Sequence, residues 1–183
     1  MNQSFKRLNL GCGHDIKSGW INVDSINLPG VDIVHDLNQL PLPFKNNQFE
    51  EILCQDVLEH LEYIPVLKEI HRILDVGGQI KIRVPHFTSR VNFMDPTHKK
   101  MFSIRTFDFF TKTSFKNRAY YFDFHFTKVV EAKIIFEHSL KWFAFNHLVS
   151  FLVNHSRKAQ DWYEATGFSR LFPAQNIIVT LLK

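Results

Sequence analysis

Leu8-Asn9-Leu10-Gly11-Cys12-Gly13, followed by Ile21-Asn22-Val23-Asp24, is the stretch that decides how this chain reads. The first run is a short apolar strand entering a glycine turn. The second is an apolar strand ending on a carboxylate. Glycine permits a sharp bend and lets a backbone approach a ligand closely. A carboxylate at the end of the next strand accepts both hydroxyls of a ribose. The two together point to a site for a nucleoside-containing cofactor. A glycine turn alone is a weak signal, so the weight rests on its surroundings.

Working outward, strands are expected at 5–10, 20–24, 31–35, 49–54, 79–84, 127–136 and 176–182. Gln79-Ile80-Lys81-Ile82-Arg83-Val84 alternates as a half-buried strand does. A helix falls between the fourth and fifth strands. Pro65 suits its first turn, Ile64, Leu67, Ile70, Ile73 and Leu74 recur at helical spacing, and Gly77-Gly78 follows its end. The β-turn-β order, then βαβ, implies an α/β chain with a largely parallel sheet covered by helices. The link from Gly13 to the second strand is too short for a full crossover helix, so that helix is expected to be stunted to one or two turns. Residues 37–48, with Pro41 and Pro43, read as a loop. Residues 85–126 are dense in Phe and Tyr, with basic residues between them and no period. They read as an insertion after the fifth strand, with 87–126 capping a substrate at the sheet's carboxyl edge. No composition shift marks a second domain, so 1–183 read as one.

The 183 residues suffice for a real core. Hydrophobic residues make up 45% and charged residues 22%, an ordinary globular balance. The net charge of +4 gives a mildly basic surface, without the footprint of a nucleic-acid binder. The two cysteines, Cys12 and Cys54, fit no CxxC or Cys/His spacing, which argues against a disulfide framework or a zinc site. Met1–Arg7 lacks the apolar core of a signal peptide, so a reducing cytoplasm is the expected location. The apolar run Trp142–Val153 is too short to span a bilayer. It reads as a buried or half-buried helix, with an interfacial helix as the alternative.

The motifs then fall into a recognisable order: Leu-Asn-Leu-Gly-Cys-Gly, Asn22-Val23-Asp24, His35-Asp36-Leu37, Leu42-Pro43-Phe44, Asn47 to Ile52, Asp56-Val57-Leu58-Glu59-His60-Leu61, Glu69 to Leu74, Gly77-Gly78 and Ile82-Arg83-Val84-Pro85. This order resembles the class I S-adenosylmethionine (SAM)-dependent methyltransferases, in particular a small bacterial type with Val-Leu-Glu-His-Leu after the fourth strand. The resemblance covers residues 5–86. It implies a Rossmann-like, seven-stranded, mostly parallel sheet with the last strand antiparallel, helices on both faces, and SAM as cofactor. Gly11 and Gly13 would pass beneath the methionine part, Asp24 would bind the ribose, and Asp36 would accept from the adenine amine with Leu37 packing on the ring. Gln55 and Asp56 would face the methyl-donor end. Asn9 joins this cofactor set in the place of the family's usual acidic residue. Asp15 stands for a third glycine, and Asp75-Val76 for Lys-Pro.

Methyl transfer from a sulfonium is an in-line displacement, so the protein's main work is to hold the acceptor close to the methyl carbon. A hydroxyl acceptor gains from a base, and histidine suits that role. His86, after Val84-Pro85 at the carboxyl end of the fifth strand, is the first candidate. A capping or loop-bonding histidine is the alternative. Asp95 and His98 form a second catalytic pair, with Asp95 orienting the imidazole. The alternative is a helix-capping Asp95 beside an exposed His98. His86, Asp95 and His98 match no specific ligand spacing, so no metal is expected. Glu59 and His60 are read as ties between the helix entrance and neighbouring loops. His14, His125 and Glu131 are weak candidates.

Phe102, Phe107, Phe109, Phe110, Phe115, Tyr120, Tyr121, Phe122 and Phe124 read mostly as core. The basic residues among them, such as Arg90, Lys99, Lys100, Arg105 and Lys116, read as a solvated rim. The expected acceptor is a small-molecule or glycan-type hydroxyl or amine. An RNA methyltransferase and a SAM-binding protein without turnover are the alternatives.

Overall fold

The computed structural model describes residues 6–112, 118–137 and 145–183. Phe115, Lys116 and Trp142, named above, lie outside the described residues. Seven strands form one sheet: β1 Arg7–Leu10, β2 Ile21–Asp24, β3 Ile33–Val34, β4 Phe49–Gln55, β5 Leu74–Pro85, β6 Lys128–Ile135 and β7 Asn176–Leu182. Their order is β3-β2-β1-β4-β5-β7-β6. The first five strands pair in parallel, and β7 runs antiparallel to both β5 and β6. The order reverses between β1 and β4, where Leu10 lies opposite Cys54. Open α/β sheets bind ligands at such a switch point, beyond the carboxyl ends of the strands.

The alternation in β5 decides its faces. Ile80, Ile82 and Val84 are fully buried, while Gln79 and Lys81 are exposed. Each such burial contributes about 1.5–3 kcal/mol. Helix α1, Tyr63–Ile73, buries Val66, Leu67, Ile70 and Ile73. It passes directly into β5 at Leu74, which pairs with Phe49. The Gly77-Gly78 pair therefore lies inside the strand and is not the helix stop expected from sequence.

The stunted helix after Gly13 is also corrected, because residues 11–20 form turns with no helical residue. Two buried asparagines account for this. Nδ2 of Asn9 donates to the Asp15 carbonyl at 2.8 Å and to Oδ1 of Asn22 at 3.1 Å. Oδ1 of Asn22 also accepts the Lys17 amide at 2.9 Å. Side chains thus satisfy backbone groups that a helix would pair internally.

The 86–126 segment holds α2, Val91–Met94, and short 3-10 turns at Thr106–Phe110 and Ala119–Tyr121. Phe102, Ile104, Phe107, Phe110 and Phe126 are buried and share one apolar cluster with the sheet. Tyr120 and Tyr121 are exposed. Helices α3 Asn146–Val153, α4 Arg157–Ala165 and α5 Phe168–Leu171 lie between β6 and β7. Helix α3 buries Val149 and Val153 and leaves Leu148, Phe151 and Leu152 exposed. Among the described residues, no helix is long and apolar enough to cross a membrane.

Candidate functional site

Gly11 and Gly13 both take positive φ, +64° and +48°, at the end of β1. A side chain at Gly11 would meet Val57, whose Cγ2 stands 2.3 Å from the position of a Cβ. At Gly13 a Cβ would meet nothing within 4 Å. One side of the turn is therefore closed by Val57, and the other is open. The Gly13 amide donates to Oδ2 of Asp24 at 2.8 Å, and the Ile26 amide to Oδ1 at 3.0 Å. Asp24 is half-buried, and each of its oxygens keeps an acceptor position.

Asp36, two residues past β3, accepts the Asn38 amide on Oδ1 at 2.9 Å and closes its own turn. Leu37 is buried in the core. Gln55 ends β4, and Asp56 follows it in a left-handed conformation, φ +55°. Nε of Arg83 lies 3.0 Å from both Asp56 oxygens, and its Nη2 also donates to Oδ2. Cofactor candidates from four strand ends thus share one sheet edge. Asn9 differs: it is buried and its amide nitrogen is spent on the turn, so its work is to shape the loop.

A carboxyl-rich, glycine-floored edge of this kind suits an adenosyl group. The open space at Gly13 admits a ligand against the backbone, and the carboxylates of Asp24 and Asp36 offer acceptors to ribose hydroxyls and an adenine amine.

His86 is fully buried. Its Nδ1 accepts the Thr88 amide at 3.1 Å, with Thr88 Oγ1 at 2.7 Å, and its Nε2 donates to Oε1 of Glu164 at 3.1 Å. Glu164 also accepts from Ser103 Oγ at 2.6 Å and the Ile104 amide at 2.7 Å. Both ring nitrogens are committed inside the protein. The expectation of a base at His86 does not carry over, because that ring pins the 86–104 segment to α4. Glu164 was not among the sequence candidates, since nothing in its spacing links it to His86.

The second pair lies elsewhere on the same edge. Asp95 accepts from the Thr97 amide at 2.8 Å and Thr97 Oγ1 at 2.6 Å, which hold its carboxyl below the usual range. Its Oδ2 is 3.7 Å from Nε2 of His98. Contrary to the exposed alternative, the His98 side chain is 5% exposed. Its ring meets that of His60 edge to face, with centroids 4.7 Å apart. Burial, and next the charge of His60, hold His98 below its ordinary pKa. Glu59, beside them, is 1% exposed, and burial pushes its carboxyl up to about 7. The expected tie at Glu59 is made by its backbone, whose carbonyl accepts the Lys99 and Lys100 amides at 2.8 and 3.2 Å. Its carboxylate was not read from sequence as a site.

A cavity of about 340 Å³ opens at the carboxyl end of β5, lined among others by Arg90, Val91, Phe145, Leu171, Phe172 and Gln175. Helix α2 connects it to the Asp95–His98 pair.

Comparison with known proteins agrees with the fold. Residues 10–82 match the family model described as "Methyltransferase domain". A 47-residue stretch is 49% identical to an uncharacterized protein of Methanocaldococcus jannaschii, covering 26% of this chain and 21% of that relative. The match thus spans about a fifth of that protein's length. In fold, the chain is similar to a SAM-dependent methyltransferase from Archaeoglobus fulgidus, with TM-score 0.63, 19% identity, and coverage of 98% of this chain and 88% of the other. It is also similar to phosphoethanolamine N-methyltransferase 2 of Haemonchus contortus, solved in complex with SAM, with TM-score 0.51, 17% identity, and coverage of 97% and 48%.

Proposed function

We propose, from the class I SAM-dependent methyltransferase domain that this chain carries, that it binds SAM across the carboxyl ends of β1 to β4. It then passes the methyl group to an oxygen or nitrogen of a small-molecule or glycan-type acceptor. The observation that carries the reading is the Gly13–Asp24 tie, which sets an anionic acceptor beside an open backbone turn.

Bound there, SAM would supply an activated methyl whose transfer to the acceptor releases the neutral thioether. The rest is positioning. Gly13 leaves room for the ligand to lie against the main chain. Asp24 offers one acceptor position per oxygen, and Asp36 another carboxylate beyond β3. Asp56 is neutralised by Arg83, so the donor end meets an ion pair and not a bare anion. The cavity by Phe145 and Phe172 offers a partly open, mainly apolar place for an acceptor, with residues 88–91 on its wall. Asp95 and His98 stand on the acceptor side as the polar pair that orients it. Holding the reacting atoms about 3–3.5 Å apart supplies most of the acceleration such a site can give.

Isothermal titration with SAM and with its demethylated product tests the cofactor reading. Both are expected to bind with one site per chain, and absence of heat with either overturns it. Transfer of labelled methyl from SAM into fractions of a lysate tests the acceptor class. Label in the small-molecule fraction is expected, and label confined to RNA overturns that part.

A further inference from the structure

We propose that Glu59, His60 and His98 bind a divalent first-row transition-metal ion of the zinc type, with coordination positions left open for an oxygen ligand. One ligand atom from each residue lies within 4.8 Å of the other two. Two imidazoles and one carboxylate are a donor set suited to zinc, and three protein ligands leave room for a further one.

The polar atoms are in a state that a cation would resolve. Both carboxylate oxygens of Glu59 are buried with no hydrogen-bond partner among the described residues, and so is Nδ1 of His98. A buried carboxylate without a partner is costly, and such groups are normally paired or bound to metal. The nearby guanidinium of Arg83 is already engaged by Asp56.

The outer contacts present both rings as ligands. Thr97 Oγ1 lies 2.8 Å from Nδ1 of His60, which leaves Nε2 to ligate. Asp95 Oδ2 lies 3.7 Å from Nε2 of His98, which leaves the unpartnered Nδ1. Metal-bound histidines commonly have their second nitrogen fixed by a carboxylate, carbonyl or other polar group. Here one short turn, 95–97, supplies that hydrogen bond to His60 and sets a carboxylate facing His98. The Lys99 and Lys100 amides bind the Glu59 carbonyl and join the two halves of the cluster. Metal bonds of about 2.0–2.2 Å draw the three ligand atoms closer together, a movement that torsions of one carboxylate and two rings supply.

Glu59 lies two residues beyond Val57, whose side chain closes the glycine turn. The ion would therefore sit on the same sheet edge as the donor site. On the methyl-transfer reading, its open position would take an oxygen of the acceptor; metal binding itself does not depend on that reading.

The test uses the untagged full chain, stripped with chelator and titrated with Co2+. A saturable visible absorption band is expected at one equivalent, bleached by equimolar Zn2+. Zn2+ is also expected to raise the melting temperature. His98→Ala and Glu59→Gln should each weaken Co2+ binding at least tenfold, while His155→Ala, on the exposed link between α3 and α4, leaves it unchanged. Melting curves of the stripped variants establish folding, and His60→Ala replaces any variant that fails to fold. Absence of saturable binding, or equal affinity in parent and cluster variants, overturns the proposal. Titration of the same samples with SAM keeps the two readings apart. Co2+ binding without SAM binding removes the cofactor reading alone, and the reverse removes the metal alone.

Discussion

The backbone amide of Gly13 donates to Oδ2 of Asp24 at 2.8 Å, joining the turn after β1 to the end of β2. One side chain thus fixes the floor of the proposed cofactor site and would carry the charge that a ribose diol meets. Asp24→Asn keeps the size and one acceptor oxygen but loses the charge, and is expected to weaken SAM binding about tenfold. Asp24→Ala removes both acceptors. A hydrogen bond to a charged group is worth about 1.5–3 kcal/mol, so a loss of about ten- to hundredfold is expected. Calorimetric titration measures both, and an unchanged affinity in Asp24→Ala would place the ribose elsewhere.

The two glycines of the turn separate stability from binding. Alanine at Gly11 adds a methyl against Val57 in a left-handed backbone. Left-handed strain of about 1–2 kcal/mol and overpacking of about 1–3 kcal/mol combine there. Gly11→Ala is expected to lower stability by about 2–5 kcal/mol in urea denaturation. Gly13→Ala carries only the backbone strain, about 1–2 kcal/mol, because its surroundings are open. Its methyl projects into the space assigned to the ligand, so SAM affinity should fall by more than stability does. Equal losses on the two measures would show that the space is not used.

What the sequence made legible follows from how local each signal is. The β7 bounds, Asn176–Leu182, and the core of β5 follow from apolar residues read in place. The glycine turn and Asp24 were legible because strand, turn and carboxylate lie within one short stretch. The absent first helix was not, because Asn9 and Asn22 pair across 13 positions and take over the turn's backbone groups. His86 was placed at the correct strand end, yet its partner Glu164 is 78 residues away. Sequence gives a residue's address on the sheet edge but not which way a distant helix returns. The same holds for Glu59 and His60, adjacent in a motif, whose third partner His98 arrives from the aromatic segment.

The His86–Glu164 contact yields a prediction opposite to that for a catalytic base. His86→Ala leaves a nearly buried carboxylate with fewer donors and opens space beside Tyr163, whose ring centroid is 5.8 Å away. Loss of a hydrogen bond to a charged group, plus the cavity, is expected to cost about 2–4 kcal/mol in denaturant unfolding. At temperatures where the variant is folded, its SAM affinity should equal that of the parent. A His86→Ala chain of full stability but without methyl transfer would return His86 to the chemistry.

Acid stability should depend on Glu69. Arg72, in the last turn of α1, donates to Glu69 and to the carbonyls of Phe44 and Leu42, and Glu69 accepts the Leu42 amide at 3.0 Å. These contacts seat Leu42 and Phe44 in the core. The Arg72 guanidinium holds the Glu69 carboxyl below its ordinary value of 4.5. A carboxyl whose folded pKa is depressed binds protons more weakly than in the unfolded chain. Its contribution is therefore fully present above about pH 4.5 and drains away as pH falls through the folded value. Glu69→Gln removes that dependence. The variant is expected to be less stable than the parent at pH 7, and the difference should shrink steadily below pH 4.5. Parallel urea titrations from neutral to acid pH measure it. A difference independent of pH would mean that Glu69 acts through packing and not through its charge.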